Sequence, residues 1–301
     1  IVWGLGETFI SGALDAWLSD ETHHTVKDTL LTGKQYSLLG SVGGILLSGF
    51  IGSINPVYAM ALAGTLMSML AIYLIVFMPE QKTFEKVRQT WRDYLRQLGD
   101  GFTHIKKHHA LRILFIIMLF LGLYSEGIDR TYQVHVLDNL GLRNLTLSPV
   151  WIIAGLKLFM VTSGAVLIAI NKRVFTEAHH VNAWLTLLFF LMAFGIFSFG
   201  FFSAPLLALI GFILFHAARA SSEPILINVM VENTPPSIKA TVLSSFGQLD
   251  AIGQLASGAL MVSIGAFFSL PVLYFVTAGI LLVPVITAIF LPKTVELDAP
   301  V

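Results

Sequence analysis

The stretch Val57-Tyr-Ala-Met-Ala-Leu-Ala-Gly-Thr-Leu-Met-Ser-Met-Leu-Ala-Ile-Tyr-Leu-Ile-Val-Phe-Met78 decides the fold class. It holds no charged side chain, and its apolar residues fall on every face of a helix rather than on one stripe. A helix rises about 1.5 Å per residue, so this run crosses the ~30 Å hydrocarbon core of a bilayer. The strict apolar–polar alternation of a membrane β-strand is absent. Pro56 and Pro79 bracket the run, as proline does at helix starts and in the turns that follow helices.

Working outward, the same pattern recurs at Ile1–Leu18, Tyr36–Ile54, Leu111–Val136, Val150–Ile170, Val181–Phe202, Ala204–Val231, Val242–Ala266 and Pro271–Leu291. The sequence thus predicts an all-α membrane protein of about nine spans. Composition agrees. Of 301 residues, 55% are hydrophobic and 12% charged, against about a quarter charged in a soluble domain. The formal net charge is zero, which gives no footprint for nucleic acid. There is no cysteine, so thiol metal sites, thiol redox chemistry and disulfides are excluded. The partners expected are the bilayer and a small-molecule substrate, with the protein a monomer.

Lys and Arg set the orientation. Lys27 and Lys34 follow the first span. Lys82, Lys86, Arg88, Arg92, Arg96, Lys106, Lys107 and Arg112 fill or border the connection after the third. Lys172, Arg173, Lys239 and Lys293 lie on the same side. That side is therefore expected to be cytoplasmic, the C-terminus included, in a multi-pass protein of the cell membrane. Residues 1–78 then form a three-helix unit, 79–110 a cytoplasmic linker, 111–292 a six-helix unit and 293–301 a tail. In the linker Phe84, Val87, Trp91, Leu95 and Leu98 recur at steps of three and four, the pattern of an amphipathic helix on the membrane surface.

Three stretches carry a family resemblance. Trp3-Gly-Leu-Gly-Glu-Thr-Phe-Ile-Ser-Gly-Ala-Leu-Asp-Ala-Trp-Leu-Ser-Asp-Glu21 resembles the fourth helix of major facilitator superfamily transporters, in their drug:proton antiporter branch of tetracycline- and macrolide-efflux type. Ser125-Glu-Gly-Ile-Asp-Arg130 resembles the seventh helix of that branch. Pro236-Ser-Ile-Lys-Ala-Thr-Val-Leu-Ser-Ser-Phe-Gly-Gln-Leu-Asp-Ala-Ile-Gly253 resembles the loop and eleventh helix. The resemblance implies a major facilitator-type bundle, three plus six helices of a six-plus-six carrier, with the first three helices lacking. It implies proton-coupled efflux of hydrophobic drug-like molecules, driven by a proton gradient with no bound cofactor and no metal. The Gly-Pro pair of that branch's fifth helix has no counterpart here. An uptake carrier of the same fold for a sugar, peptide or other polar metabolite is the alternative reading. A membrane enzyme or sensor is the remote one, because no nucleophile elbow, phosphate loop or metal-spaced histidine set occurs.

Ionisable groups inside a membrane cost ~2.5–3.5 kcal/mol each on insertion scales, so each needs a reason. Glu7, Asp15, Glu126, Lys157, His216 and Asp250 are the candidates for substrate binding or proton coupling. Asp129, Arg130, Arg219 and Glu223 are candidates for structural or gating charges. Helix depth predicts a Glu126–Lys157 contact, with Asp129 and Arg130 on the face of Glu126, and an Arg219–Glu223–Asp250 cluster beside a hinge at Pro224. For every cluster the competing reading is a buried ion pair that fixes helix register. Gly40, Gly44, Ser48 and Gly52 form a small-residue stripe that predicts close approach of a neighbouring helix. His23/His24, His108/His109 and His179/His180 are adjacent pairs that point apart on a helix and read as loop residues. His135 reads as an outer-rim residue.

Overall fold

The computed structural model describes residues 26–77, 99, 101, 103–177, 181–235 and 238–292. Eight long helices run through them: α1 Val26–Ile54, α2 Pro56–Phe77, α3 His109–Val134, α4 Pro149–Glu177, α5 Val181–Phe201, α6 Pro205–Glu232, α7 Lys239–Phe267 and α8 Leu270–Ala288. The span expected at residues 1–18, with Glu7 and Asp15, lies outside the described residues. So do residues 79–98, 100 and 102 of the expected linker, and the tail.

Seven of the eight helices are long and apolar enough to cross a membrane, with mean hydropathies of 1.4 to 2.2. The exception is α7, predicted as a span like the rest. Gln248, Asp250 and Gln254 lower its hydropathy, and it packs along α3. The helix starts follow the local chemistry. Pro56, Pro149 and Pro205 each open a helix, where a missing N–H costs nothing. Before α2, the Asn55 side-chain oxygen accepts from the Val57 N–H at 2.9 Å, an N-cap. Between α5 and α6 only Phe202, Ser203 and Ala204 intervene, so the two spans join with almost no loop, as the sequence reading has it.

The environment of α5 shows what surrounds the bundle. Leu185, Leu188, Phe189, Met192, Ile196 and Phe199 are buried on one face. Phe190, Phe194, Phe197 and Phe201, at steps of four, three and four, form an exposed stripe on another, each 44–58% accessible. A helix apolar on both its buried and its exposed faces suits lipid and is disfavoured in water.

The six helices α3–α8 pack with an internal two-fold logic. α3 packs along α7 and α8, α6 packs along α4 and α5, and α5 packs on α8. Exchanging α3 with α6, α4 with α7 and α5 with α8 maps this set of contacts onto itself. Small residues sit at equivalent crossings. A Cβ on Gly122 of α3 would collide with the Asp250 carbonyl of α7, and one on Gly253 of α7 with the Leu119 carbonyl of α3. At the matching α4–α6 crossing, a Cβ on Gly164 would stand 3.0 Å from the Ala220 Cβ. Backbones in lipid approach this closely only where side chains are small.

α1 packs on α4, and α2 packs on α1 with none of its residues buried. The predicted small-residue stripe on α1 is only partly the contact. Nothing lies within 4 Å of a Cβ on Gly40 or Gly44, and Gly52 approaches Val150 at 3.9 Å. The tight position is Gly49, whose Cβ would lie 3.2 Å from the Trp151 ring and 3.5 Å from the Ala154 Cβ. The four-residue spacing identified the right helix but a face rotated away from the closest approach to α4. Gly44 and Ser48 border a cavity there instead.

The chain before α3 also packs on the bundle. Gly101 lies against Thr241, Ile105 is buried, and His104 Nε2 lies 3.2 Å from the Asn233 carbonyl oxygen at the end of α6.

Candidate functional site

Halfway along the bundle a cavity of about 370 Å³ opens between α3, α6 and α7, with Met192 of α5 reaching its wall. Its polar lining is Tyr124 and Ser125 from α3, Arg219, Ser222 and Glu223 from α6, and Asp250 and Gln254 from α7. Met118, Met192, Met230 and Phe246 supply apolar, adaptable surface. Arg219 and Glu223 of α6 and Asp250 of α7, predicted to cluster, therefore line two walls of one cavity.

The bonding differs from the prediction. Arg219 Nη1 donates to Asp129 Oδ1 at 2.8 Å and to Oδ2 at 3.0 Å, tying α6 to α3. The same guanidinium sits over the Tyr124 ring, 5.6 Å from its centroid, and Tyr124 meets Phe215 edge-on at 5.9 Å. Asp250 accepts a hydrogen bond from Gln254 Nε2 at 2.7 Å, one turn along its own helix. Among the described residues it has no salt bridge. Arg219 and the three carboxylates Asp129, Glu223 and Asp250 thus form a group in which acids outnumber the cation. Pro224 lies within α6 one residue beyond Glu223, where its missing N–H leaves the Ala220 carbonyl without its helical donor.

The Glu126–Lys157 contact does not form. Glu126 Oε2 instead accepts from Arg130 Nε at 2.9 Å, one turn along α3, with Arg130 73% accessible. Equal depth did not bring the two helices together, because α4 packs on α6 and α1 rather than along α3. Lys157 lines a separate cavity of about 680 Å³ between α1 and α4, with Ser41, Ser48 and Gln133 on its wall. His216 lies apart from both cavities. Its ring stands edge-on to Phe212 and Phe215 at 4.6 and 4.7 Å, and its Nε2 is buried with no partner among the described residues.

His135 lies in the last turn of the span His109–Asn139, as expected, and its ring faces inward. It is buried in the π turn His135–Asn139 that prolongs α3. Nδ1 accepts from Asn139 Nδ2 at 3.1 Å, which leaves Nε2–H to donate to the Phe199 carbonyl at 3.1 Å. The ring packs edge-on against Phe199 and Tyr274. Thr131 Oγ1 and Tyr274 Oη, 3.1 Å apart, add a second polar link from α3 to α8. This end of α3 is therefore pinned to both α5 and α8.

Tyr124 and Gln254 were not among the candidates. Gln254 was detectable as the residue one turn beyond Asp250. Tyr124 adjoins the Ser125–Arg130 stretch but carries no charge to draw attention. Among the described residues no group of three metal-ligating side chains occurs.

No family model matches the chain. Over 306 aligned positions, covering 100% of this chain and 74% of the relative, it is 23% identical to the uncharacterized MFS-type transporter YxaM of Bacillus subtilis (strain 168). That similarity supports the major facilitator superfamily, and the all-helical bundle of membrane-length helices agrees with a fold of that type.

Proposed function

We propose that the protein is a secondary active transporter that exports small hydrophobic or amphipathic molecules in exchange for protons. The observation that supports this best is Asp250. It lies near the middle of α7, about 17 Å from Lys239 at 1.5 Å per residue, and faces a cavity. Its hydrogen bond comes from a neutral amide, while Arg219 in the same cavity is held by Asp129. A carboxylate at that depth, facing a cavity with no direct ion pair among the described residues, is suited to carry a proton between the two sides. In this reading Asp250 carries the proton, Glu223 shares the acidic cavity, and the Arg219–Asp129 pair fixes α6 against α3. Cargo passes between the two helical units by alternating access. The C-terminus is cytoplasmic in this reading, from the one-sided Lys and Arg of the connections.

The test is flux in vesicles from cells expressing the complete reading frame. Anionic, neutral and cationic dyes are supplied under an imposed pH gradient. Efflux that collapses with a proton ionophore supports the reading. Efflux indifferent to the ionophore removes proton coupling, and inward movement favours the uptake reading.

A further inference from the structure

The two cavities have opposite electrostatic character. The α3/α6/α7 cavity is lined by Glu223 and Asp250 as well as Arg219. Among the described residues, the lining of the cavity between α1 and α4 has no Asp or Glu, and Lys157 is its one charged side chain. Lys157 has no ion-pair partner among the described residues. It stands about 12 Å along α4 from Pro149, well inside the span Pro149–Asn171. An ammonium at that depth keeps three donors to satisfy, and an intramembrane charge costs ~2.5–3.5 kcal/mol unless something answers it.

The rest of the wall shows what would answer it. The hydroxyls of Ser41 and Ser48 donate to the carbonyls of Ser37 and Ile45 at 2.8 and 3.1 Å, which leaves Lys157 and the Gln133 amide as the side-chain donors among the described lining residues. Gln133 Nε2 donates to Tyr132 Oη at 3.1 Å, and its amide borders the cavity. Ile45, Leu137, Ile153 and Met160 give the apolar surface. The volume, about 680 Å³, falls within the range of small-molecule sites. One cation, a few neutral polar groups and an apolar wall together match an organic molecule with a single negative group.

We infer that the cavity between α1 and α4 binds a small organic acid, its anionic group held by Lys157. This rests on the transport reading above, and it separates the cargo-binding charge from the acidic, proton-carrying cavity. The same anionic chemistry could come from a lipid headgroup, and the assignment commits to the small acid.

The experiment measures binding of benzoate, benzenesulfonate and phenylphosphate, with neutral benzamide as the control. The purified complete protein is reconstituted in pure phosphatidylcholine, then with phosphatidylglycerol added. At least one anion should bind saturably, benzamide should not, and Lys157→Met should weaken the anion by about tenfold or more. Lys157→Arg should retain binding. Matching thermal unfolding of Lys157→Met and wild type shows that the loss is not misfolding. If no anion binds, or Lys157→Met binds as wild type does, the assignment is wrong. It is equally wrong if phosphatidylglycerol is retained through Lys157 and excludes the acids. Binding is read without flux, so the two ideas fail separately. Lys157-dependent binding without proton-driven flux sinks the transport reading alone, and flux without such binding sinks this inference alone.

Discussion

Asp129 on α3 and Arg219 on α6 are 90 residues apart in the chain, and one guanidinium nitrogen of Arg219 reaches both carboxylate oxygens of Asp129, at 2.8 and 3.0 Å. Their side chains retain 40% and 35% accessibility, so the pair is partly solvated rather than sealed. It connects two helices whose backbones make few other contacts, across the cavity that also holds Glu223 and Asp250.

Each half of this pair should depend on the other. Asp129→Asn and Arg219→Gln should each lower the unfolding temperature of the purified protein. The double variant should recover part of the loss, with a coupling of about 0.5–3 kcal/mol in a double-mutant cycle. Arg130→Gln, which removes a more exposed one-turn pair, should cost less, within ~1 kcal/mol. Additive single effects would show that the Asp129–Arg219 bond does not hold the helices.

The α3–α7 crossing should tolerate no added side chain. Gly122→Val and Gly253→Val each drive a side chain into the facing backbone. Each should cost roughly 1–3 kcal/mol or more by overpacking, and reduce the yield of folded protein. Gly40→Ala, where nothing lies within 4 Å, should leave yield and unfolding temperature unchanged. Size-exclusion profiles and thermal unfolding read both outcomes.

His135 should behave as a structural clasp. His135→Ala removes a donor to the Phe199 carbonyl and the partner of Asn139, and leaves a gap between Phe199 and Tyr274. A loss of about 1–3 kcal/mol is expected from the unanswered polar groups. His135→Gln, which can still donate, should recover part of it. Thermal unfolding separates the two. Equal stability of wild type and the alanine variant would show that the clasp carries no load.

Much of the fold was legible because the apolar runs are continuous and proline marks their ends. Span positions for α1 to α8 follow from that, and α7 was readable despite Asp250, Gln248 and Gln254, since its flanks stay apolar. The partners of the charges were less legible. Depth arithmetic set Asp250 level with Glu223 and one turn from Arg219, and all three line the cavity between α3, α6 and α7. It missed Asp129 for Arg219 because α3 runs on through the π turn His135–Asn139. That extension sets Asp129 about 15 Å from the end of its helix, within an arginine's reach of Arg219's level. It paired Glu126 with Lys157 wrongly, because depth carries no information about which helices face each other. The glycine spacing on α1 likewise named the helix but not the residue, Gly49, that meets Trp151.

The most direct test of the account is the behaviour of Asp250→Asn in proteoliposomes holding the complete protein, using a dye that the wild-type protein transports. The wild type should concentrate the dye against its gradient when a pH difference is imposed. The variant should lose that accumulation by about tenfold or more while still exchanging labelled for unlabelled dye across the membrane. A variant that accumulates dye as the wild type does would show that Asp250 carries no coupling proton, and would contradict the account.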